Sequence, residues 1–338
     1  MEGKFDAVTL GEVMLRLSPP SGGRLQVGPT LERYVAGAEL NVAAGMAQLG
    51  LKTAICTKLP DNPLSRFALS EARAWGVSDE AVVWDTHPDA RLGLYYFESA
   101  SAPRKPAAYY DRKGSSINTL RPDEVPGHIY GKARLFHTSG ITLGLGEQTR
   151  TTAAALMRAF HEAGALLSFD VNYRANLWTD QEERAAVEPL LPLLDVLFVS
   201  EESLRRMFGR TGALEDILPA FAAEYGISQI FSTQRTVLSP SLHTFTALGY
   251  DAATGQLYTE EPYEIQVVDR VGSGDAFVAG ALYGLLRHND SAAAIRYGNA
   301  MAAAKCTVMG DMFCTTRREI DSLIKAHHSD GPQSEMDR

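Results

Sequence analysis

A repeated alternation of short apolar runs with segments of helical period restricts the fold of this chain more than any other feature. Residues 7–10 form an apolar run, residues 40–49 a helix of small and apolar side chains stopped at Gly50, and residues 52–59 a second strand. An amphipathic helix follows over residues 63–75 and ends at Gly76, before strand-like runs at 82–85 (VVWD) and 93–98. The pattern then resumes as a strand at 135–137, a helix at 151–163 and a strand at 166–171. It continues as a helix at 181–190, a strand at 196–199, helices at 201–208 and 214–225, and a strand at 229–232. Such alternation predicts an α/β fold, a mostly parallel sheet with helices on both faces.

Two stretches, 12–36 and 91–116, interrupt the pattern because neither contains a helical period. The second alternates aromatic and polar residues in GLYYFE and AAYYDRKGSS, which predicts a small antiparallel β-sheet projecting from the core as a lid. The α/β core is then assigned to 1–11, 37–90 and 117–326. Residues 327–338, with His327 and His328 and ending SDGPQSEMDR, read as a disordered polar tail.

Composition removes several function classes. A hydrophobic fraction of 45% with 22% charged residues is that of a folded chain with a buried core. Lys plus Arg number 32 against 41 Asp plus Glu, a net charge of −9, so the basic footprint of a nucleic-acid binder is absent. No apolar run approaches the roughly 18 residues of a membrane helix. The first six residues, MEGKFD, lack a basic region followed by an apolar one, so a cytoplasmic location is expected. Cys56, Cys306 and Cys314 have no paired spacing and are expected as three reduced thiols.

The segment EIQVVDRVGSGDAFVAGALYGLL, residues 264–286, carries the clearest chemistry. A strand is expected to end at Val268 and a helix to begin at about Asp275, with Gly272 and Gly274 in the turn between them. Glycines there let backbone approach an anion, and free N–H groups at a helix start favour negative charge. The segment is neither a Walker loop nor GxGxxG. Asp275 fits two readings, a helix-capping carboxylate or a general base that takes a proton from an attacking hydroxyl.

GAELNVAAGMAQLG near one end and VDRVGSGDAFVAG near the other resemble the two signatures of the ribokinase-like (PfkB) carbohydrate kinases. The resemblance runs through Lys325. Within that family GLYYF, YYDRKGSS, FDVNYRANLW and KCTVMGD are most similar to 2-keto-3-deoxygluconate kinases. The resemblance implies ATP-dependent phosphorylation of the terminal hydroxyl of 2-keto-3-deoxygluconate, with Mg²⁺. It implies Asp275 as catalytic base and Gly272, Ser273 and Gly274 as an anion hole. Gly37, Tyr95, Tyr110, Arg112, Arg174 and Asp311 would bind substrate, Arg174 by gripping its carboxylate with paired hydrogen bonds. Tyr110 and Arg112, two apart on a strand, share one face, and Tyr95 could join them from the neighbouring lid strand. Ser200, Thr233, Arg235 and Asn299 would neighbour the nucleotide.

Three departures from the family pattern stand out. Ser200, Glu201, Glu202 and Ser203 replace the usual Asn-x-x-Glu, so the metal-ligating residues are unassigned. Asp269, Arg270 and Val271 replace Asp-Thr-Thr, leaving open whether a monovalent cation binds, and Thr233, Gln234 and Arg235 replace a Lys-x-Gly loop. A fructokinase-like activity and a catalytically weak sugar-binding regulator are the alternatives. A homo-oligomer is expected, because lid edges invite pairing.

Overall fold

The computed structural model describes residues 5–20, 22–100, 103–239 and 241–329. The first third of the chain contains β1 (Phe5–Leu10), β2 (Met14–Ser18), β3 (Glu32–Ala36), α1 (Ala38–Gln48), β4 (Thr53–Pro60), α2 (Pro63–Ala74), β5 (Val77–Ser78), β6 (Val82–Asp85), β7 (Gly93–Glu98) and β8 (Ala107–Asp111). Next come β9 (Ala133–Ser139), α3 (Gly140–Gly144), α4 (Glu147–Glu162), β10 (Leu166–Asp170), α5 (Asp180–Val187), β11 (Val196–Phe198), α6 (Glu201–Arg206) and α7 (Leu214–Tyr225). The last are β12 (Gln229–Val237), β13 (Leu242–Asp251), β14 (Gln256–Thr259), β15 (Tyr263–Gln266), α8 (Ser273–His288), α9 (Ser291–Lys305) and α10 (Arg317–His327).

The main sheet has the order β14-β13-β12-β11-β10-β9-β1-β4-β5, with β15 also on β13 and β6 on β4. From β12 to β5 every pairing is parallel, as the alternation predicts. Central strands buried on both faces are mostly apolar, as VLF of β11 is, and β4, buried along its whole length, pairs its one charged residue, Lys58, with Glu124 at 2.8 Å. β1 lies between β4 and β9, the point where the strand order reverses direction, and in such sheets the crevice at the strand carboxyl ends receives ligands.

The antiparallel edge has no counterpart in that alternation. β12 runs on to Val237 and turns back into β13, which holds both β14 and β15. Burial alternates along most of β13 because this edge is half covered, so its sequence lacks the continuous apolar run of a central strand. The segment 181–190 likewise changes character: α5 gives way to a 3₁₀ turn over Glu188–Leu193, where Pro189 and Pro192 cannot sustain the α-helical ladder.

A separate four-stranded sheet has the order β3-β2-β7-β8. It is mixed rather than antiparallel. β2–β3 and β7–β8 are antiparallel, whereas β2 and β7 pair in parallel, Arg16 opposite Tyr95. Both inner strands follow segments of the main sheet and head the same way, so the two pairs can join only in parallel. α10 also carries order further than the sequence suggests. It extends to His327, whose ring stacks on Tyr263 at 3.7 Å, and Ile320 buries its inner face. Of the expected tail, residues 330–338 lie outside the described residues.

Candidate active site

A cleft of about 620 Å³ lies at the carboxyl ends of the main strands, between them and the small sheet. Its floor is the start of α8. Gly272 adopts φ 82°, and a side chain there would collide with the backbone oxygen of Asp311, so the turn requires glycine. The next residues, Ser273 and Gly274, open a 16-residue helix whose first N–H groups have no intrahelical acceptor. Gly37 has φ 147° and packs against the backbone of Glu12, where a side chain would also clash.

Asp275 sits in the first turn of α8, buried, and accepts a 2.7 Å hydrogen bond from Asn41 Nδ2 of α1. Burial pushes its carboxyl up to about 6, against the pull of the Asn41 hydrogen bond and the charge of Arg174. It does not cap α8, since Gly272 holds that position; the geometry favours the general-base reading. Asp170 at the end of β10 also lines the cleft, and burial together with the charge of Asp275 raises it to about 7. The acid limb of activity therefore belongs to the pair. A base must be ionised, and a raised carboxyl is protonated below its folded value. We expect kcat/KM to fall as pH drops through about 7 to 6, measured as a pH–rate profile, and an unchanged rate down to pH 5 would contradict it.

Three of the sequence-derived substrate residues meet on the small sheet. Tyr95 and Tyr110 stack at 5.4 Å, and the Arg112 guanidinium lies 5.5 Å from the Tyr110 ring. Arg112 is not free, however. Its Nε donates to Glu12 Oε2 at 2.7 Å, and Ser115 donates to the same carboxylate. Tyr95 donates to Asp311 Oδ2 at 2.5 Å, and Asp311 Oδ1 accepts from Arg16 Nη1 at 3.1 Å. Arg174 differs from Arg112. It is exposed in the cleft wall, beyond a turn at Asn172 (φ 42°) held by Asp170, and makes no side-chain ion pair among the described residues.

Ser200, Thr233 and Arg235 line the other end of the cleft. Ser200 also caps α6, accepting from the Ser203 N–H at 3.0 Å. Asn299 stands apart from these three. It is fully buried on α9, with its Nδ2 3.4 Å from Glu260 Oε2, and does not line the cleft.

The pattern of the pfkB family carbohydrate kinase matches residues 4–318. The chain belongs to the pfkB family of carbohydrate kinases. It is 37% identical over 324 residues to the 2-dehydro-3-deoxygalactonokinase of Haloferax volcanii, covering 95% of this chain and 96% of that one. It is 29% identical to the 2-dehydro-3-deoxygluconokinase of Bacillus subtilis, covering 96% and 97%. The crystal structure of 2-dehydro-3-deoxygluconokinase from Thermotoga maritima superposes with a TM-score of 0.90 at 32% identity, covering 96% of this chain and all of that one.

In this pfkB kinase several cleft residues escape a reading by sequence. Asn41 orients Asp275 and lies inside the quoted GAELN motif, four residues after Gly37 on the same helix face. Asp170 lies in the quoted FDVNYR segment. Glu39 and Lys305 support the site from behind. Glu39 is buried, accepts from Ser139 and Thr142 at 2.6 and 2.7 Å, and is held above the usual carboxylate range by desolvation. Lys305 is buried and donates to the carbonyls of Asp269 and Val308 at 2.9 and 3.2 Å, pinning the two loops beside Gly272.

Proposed function

We propose that this kinase transfers the γ-phosphoryl group of ATP to the terminal hydroxyl of 2-keto-3-deoxygluconate, giving 2-keto-3-deoxy-6-phosphogluconate. The observation that carries the reading is Arg174: a guanidinium with no ion pair among the described residues, in the wall of the cleft that also holds Asp275. A neutral sugar offers such a group no charge partner, whereas a sugar acid offers a carboxylate matched to its fork of donors. The names of the related kinases support a 2-keto-3-deoxy acid, and that of the Haloferax relative supports the galactonate epimer as a second reading.

In this reading the small sheet is the lid. Tyr110 and Arg112 close over the acid, Asp311 accepts from sugar hydroxyls, and Asp275 takes the proton of the attacking hydroxyl. The amides at Gly272 to Gly274 receive the developing charge on the transferring phosphoryl. Mg²⁺, when bound, would supply positive charge that offsets the charge of the nucleotide phosphates. Asp170 would hold it, as a cleft carboxylate with no side-chain hydrogen-bond partner among the described residues, the usual sparse protein contribution to a phosphate-bound magnesium.

The test is ATP-dependent turnover of the keto acid, its galactonate epimer, fructose and ribose, repeated with Arg174→Gln. Loss of a charge-assisted pair is expected to raise KM for the acid about 10- to 100-fold, with kcat much less affected. Turnover of neutral sugars only, unaltered by the substitution, would establish a fructokinase-like activity instead. Binding of acid without any turnover would establish the regulatory reading.

A further inference from the structure

Besides Arg174, the cleft is lined by two arginines with no ion pair among the described residues, Arg235, expected only to neighbour the nucleotide, and Arg270, which has no role so far. Arg270 stands two residues before Gly272, and Arg235 lies two residues past Thr233 on β12. Both line the cleft, both are exposed, and neither has a side-chain hydrogen bond or ion pair among the described residues. The nearby acids are committed elsewhere. Asp269 accepts from Arg16 at 2.7 Å, from Val271 N at 3.0 Å and from Gly310 N at 3.2 Å. Asp311 is held by Arg16 and Tyr95, and Glu202 by Arg206 at 2.8 Å.

The two guanidiniums feel each other. Arg235 is held below the ordinary arginine range, first by desolvation and then by the charge of Arg270. His243 on β13 is lowered by burial and by both arginines. Like charges held together beside a helix N-terminus raise the energy of the empty protein, and an arriving anion reverses the sign of every one of these interactions. The anion the fold requires at the nucleotide end of the cleft is a polyphosphate.

We infer that Arg235 and Arg270 form a clamp on the phosphate chain of the nucleotide, in which Arg270 neutralises charge at the transferring phosphoryl. The inference rests on the kinase reading of this cleft and deepens it. During transfer the acceptor oxygen forms its bond to the γ-phosphorus while the bond to the bridging oxygen breaks. The electron pair leaves on the β-phosphate of ADP and the proton goes to Asp275. Negative charge thus shifts toward the bridging oxygen, where a fixed guanidinium stabilises the transition state more than the ground state. Arg174 addresses the acceptor; the Arg235–Arg270 pair addresses the donor.

The test compares Arg270→Gln, Arg270→Lys and Arg235→Gln in full-length protein with Mg²⁺-ATP. Arg270→Gln is expected to lower kcat at least about 100-fold, less than the roughly 10³- to 10⁵-fold that an inserted transition-state arginine supplies, with acceptor KM within about twofold. The lysine variant should restore only a small part, because a point charge does not reproduce the planar fork. Arg235→Gln should raise KM for ATP about tenfold. Calorimetry should show that each glutamine variant binds ATP about tenfold more weakly and AMP unchanged, since AMP lacks the phosphates concerned. The melting temperature of nucleotide-free Arg270→Gln should equal or exceed that of the parent.

A kcat within about threefold of the parent, a parallel loss of AMP binding, or a rise confined to acceptor KM would overturn the inference. If the parent phosphorylates a neutral sugar and not the keto acid, the substrate assignment fails while the same arginine assays proceed with that sugar. If it phosphorylates nothing, the ATP-against-AMP comparison still decides the clamp.

Discussion

Asp275→Asn is expected to lower kcat by about 10³- to 10⁴-fold while leaving both KM values within about threefold, measured by steady-state kinetics. The substitution keeps shape and an acceptor for the Asn41 hydrogen bond but removes the proton-accepting charge. A residual rate within tenfold of the parent would remove Asp275 from the base role. Stability provides an independent readout with the opposite sign. The folded carboxyl titrates at about 6, above its ordinary value of 3.8, so its contribution to stability is fully present below the unfolded pKa and is lost as pH rises through 6. Above that pH the ionised buried group costs about 3 kcal/mol, order of magnitude. The variant should therefore melt at a higher temperature than the parent at pH 8, and the gap should close by about pH 4. A catalytically dead variant that is more stable is hard to explain by damage to the fold.

The same opposition runs through the cleft. The charge of Asp275 adds to burial in raising Asp170, Arg235 and Arg270 repel, and Arg174 makes no ion pair among the described residues. Each arrangement costs stability in the empty protein and favours a bound partner of opposite charge or a transferable proton. Arg174, Arg235 and Arg270 line the same cleft as Asp275 and the first amides of α8. In the proposed reading the first addresses the acceptor and the other two the donor, and an in-line transfer requires the two substrates to meet over one anion hole.

What the sequence discloses follows from the range of the forces involved. The parallel strands are legible because burial on both faces favours apolar runs such as VLF of β11, and the Gly272 turn because only glycine tolerates its backbone and the approach of Asp311. β13 is obscured because it forms a half-exposed edge, and the parallel β2–β7 join because it is made between segments some 80 residues apart. The partners of charged residues are the least legible. Arg112 looks free in YDRKG until Glu12, 100 residues earlier, is brought against it. Asn299, matched to the nucleotide by resemblance, is fully buried on α9 with its Nδ2 near Glu260, a partner 39 residues earlier that its own segment does not disclose.

Arg16 makes the point most strongly and yields the largest expected stability effect. It lies on β2 of the small sheet, where nothing in MLRLS marks it for burial, and its side chain has 0% exposure. Its Nη1 reaches Asp269 and Asp311, 253 and 295 residues away, and its guanidinium lies 4.2 Å from the Phe97 ring. Arg16→Met preserves much of the volume but leaves two buried carboxylates without their cation, a loss expected to cost about 3–5 kcal/mol. Denaturant unfolding at pH 7.5 should register it, and a cost below about 1 kcal/mol would refute the account. The deficit should shrink at acid pH. Asp311 already lies above the usual carboxylate range through desolvation, restrained by Arg16, and without that restraint it protonates more readily. The consequence reaches the cleft, because β2 carries Arg16 and its neighbour β7 carries Tyr95, both bound to Asp311. One buried cluster thus sets the small sheet against the loop that packs on Gly272. Arg16→Met should accordingly raise acceptor KM as well as lower stability, whereas a purely structural arginine would change only the second.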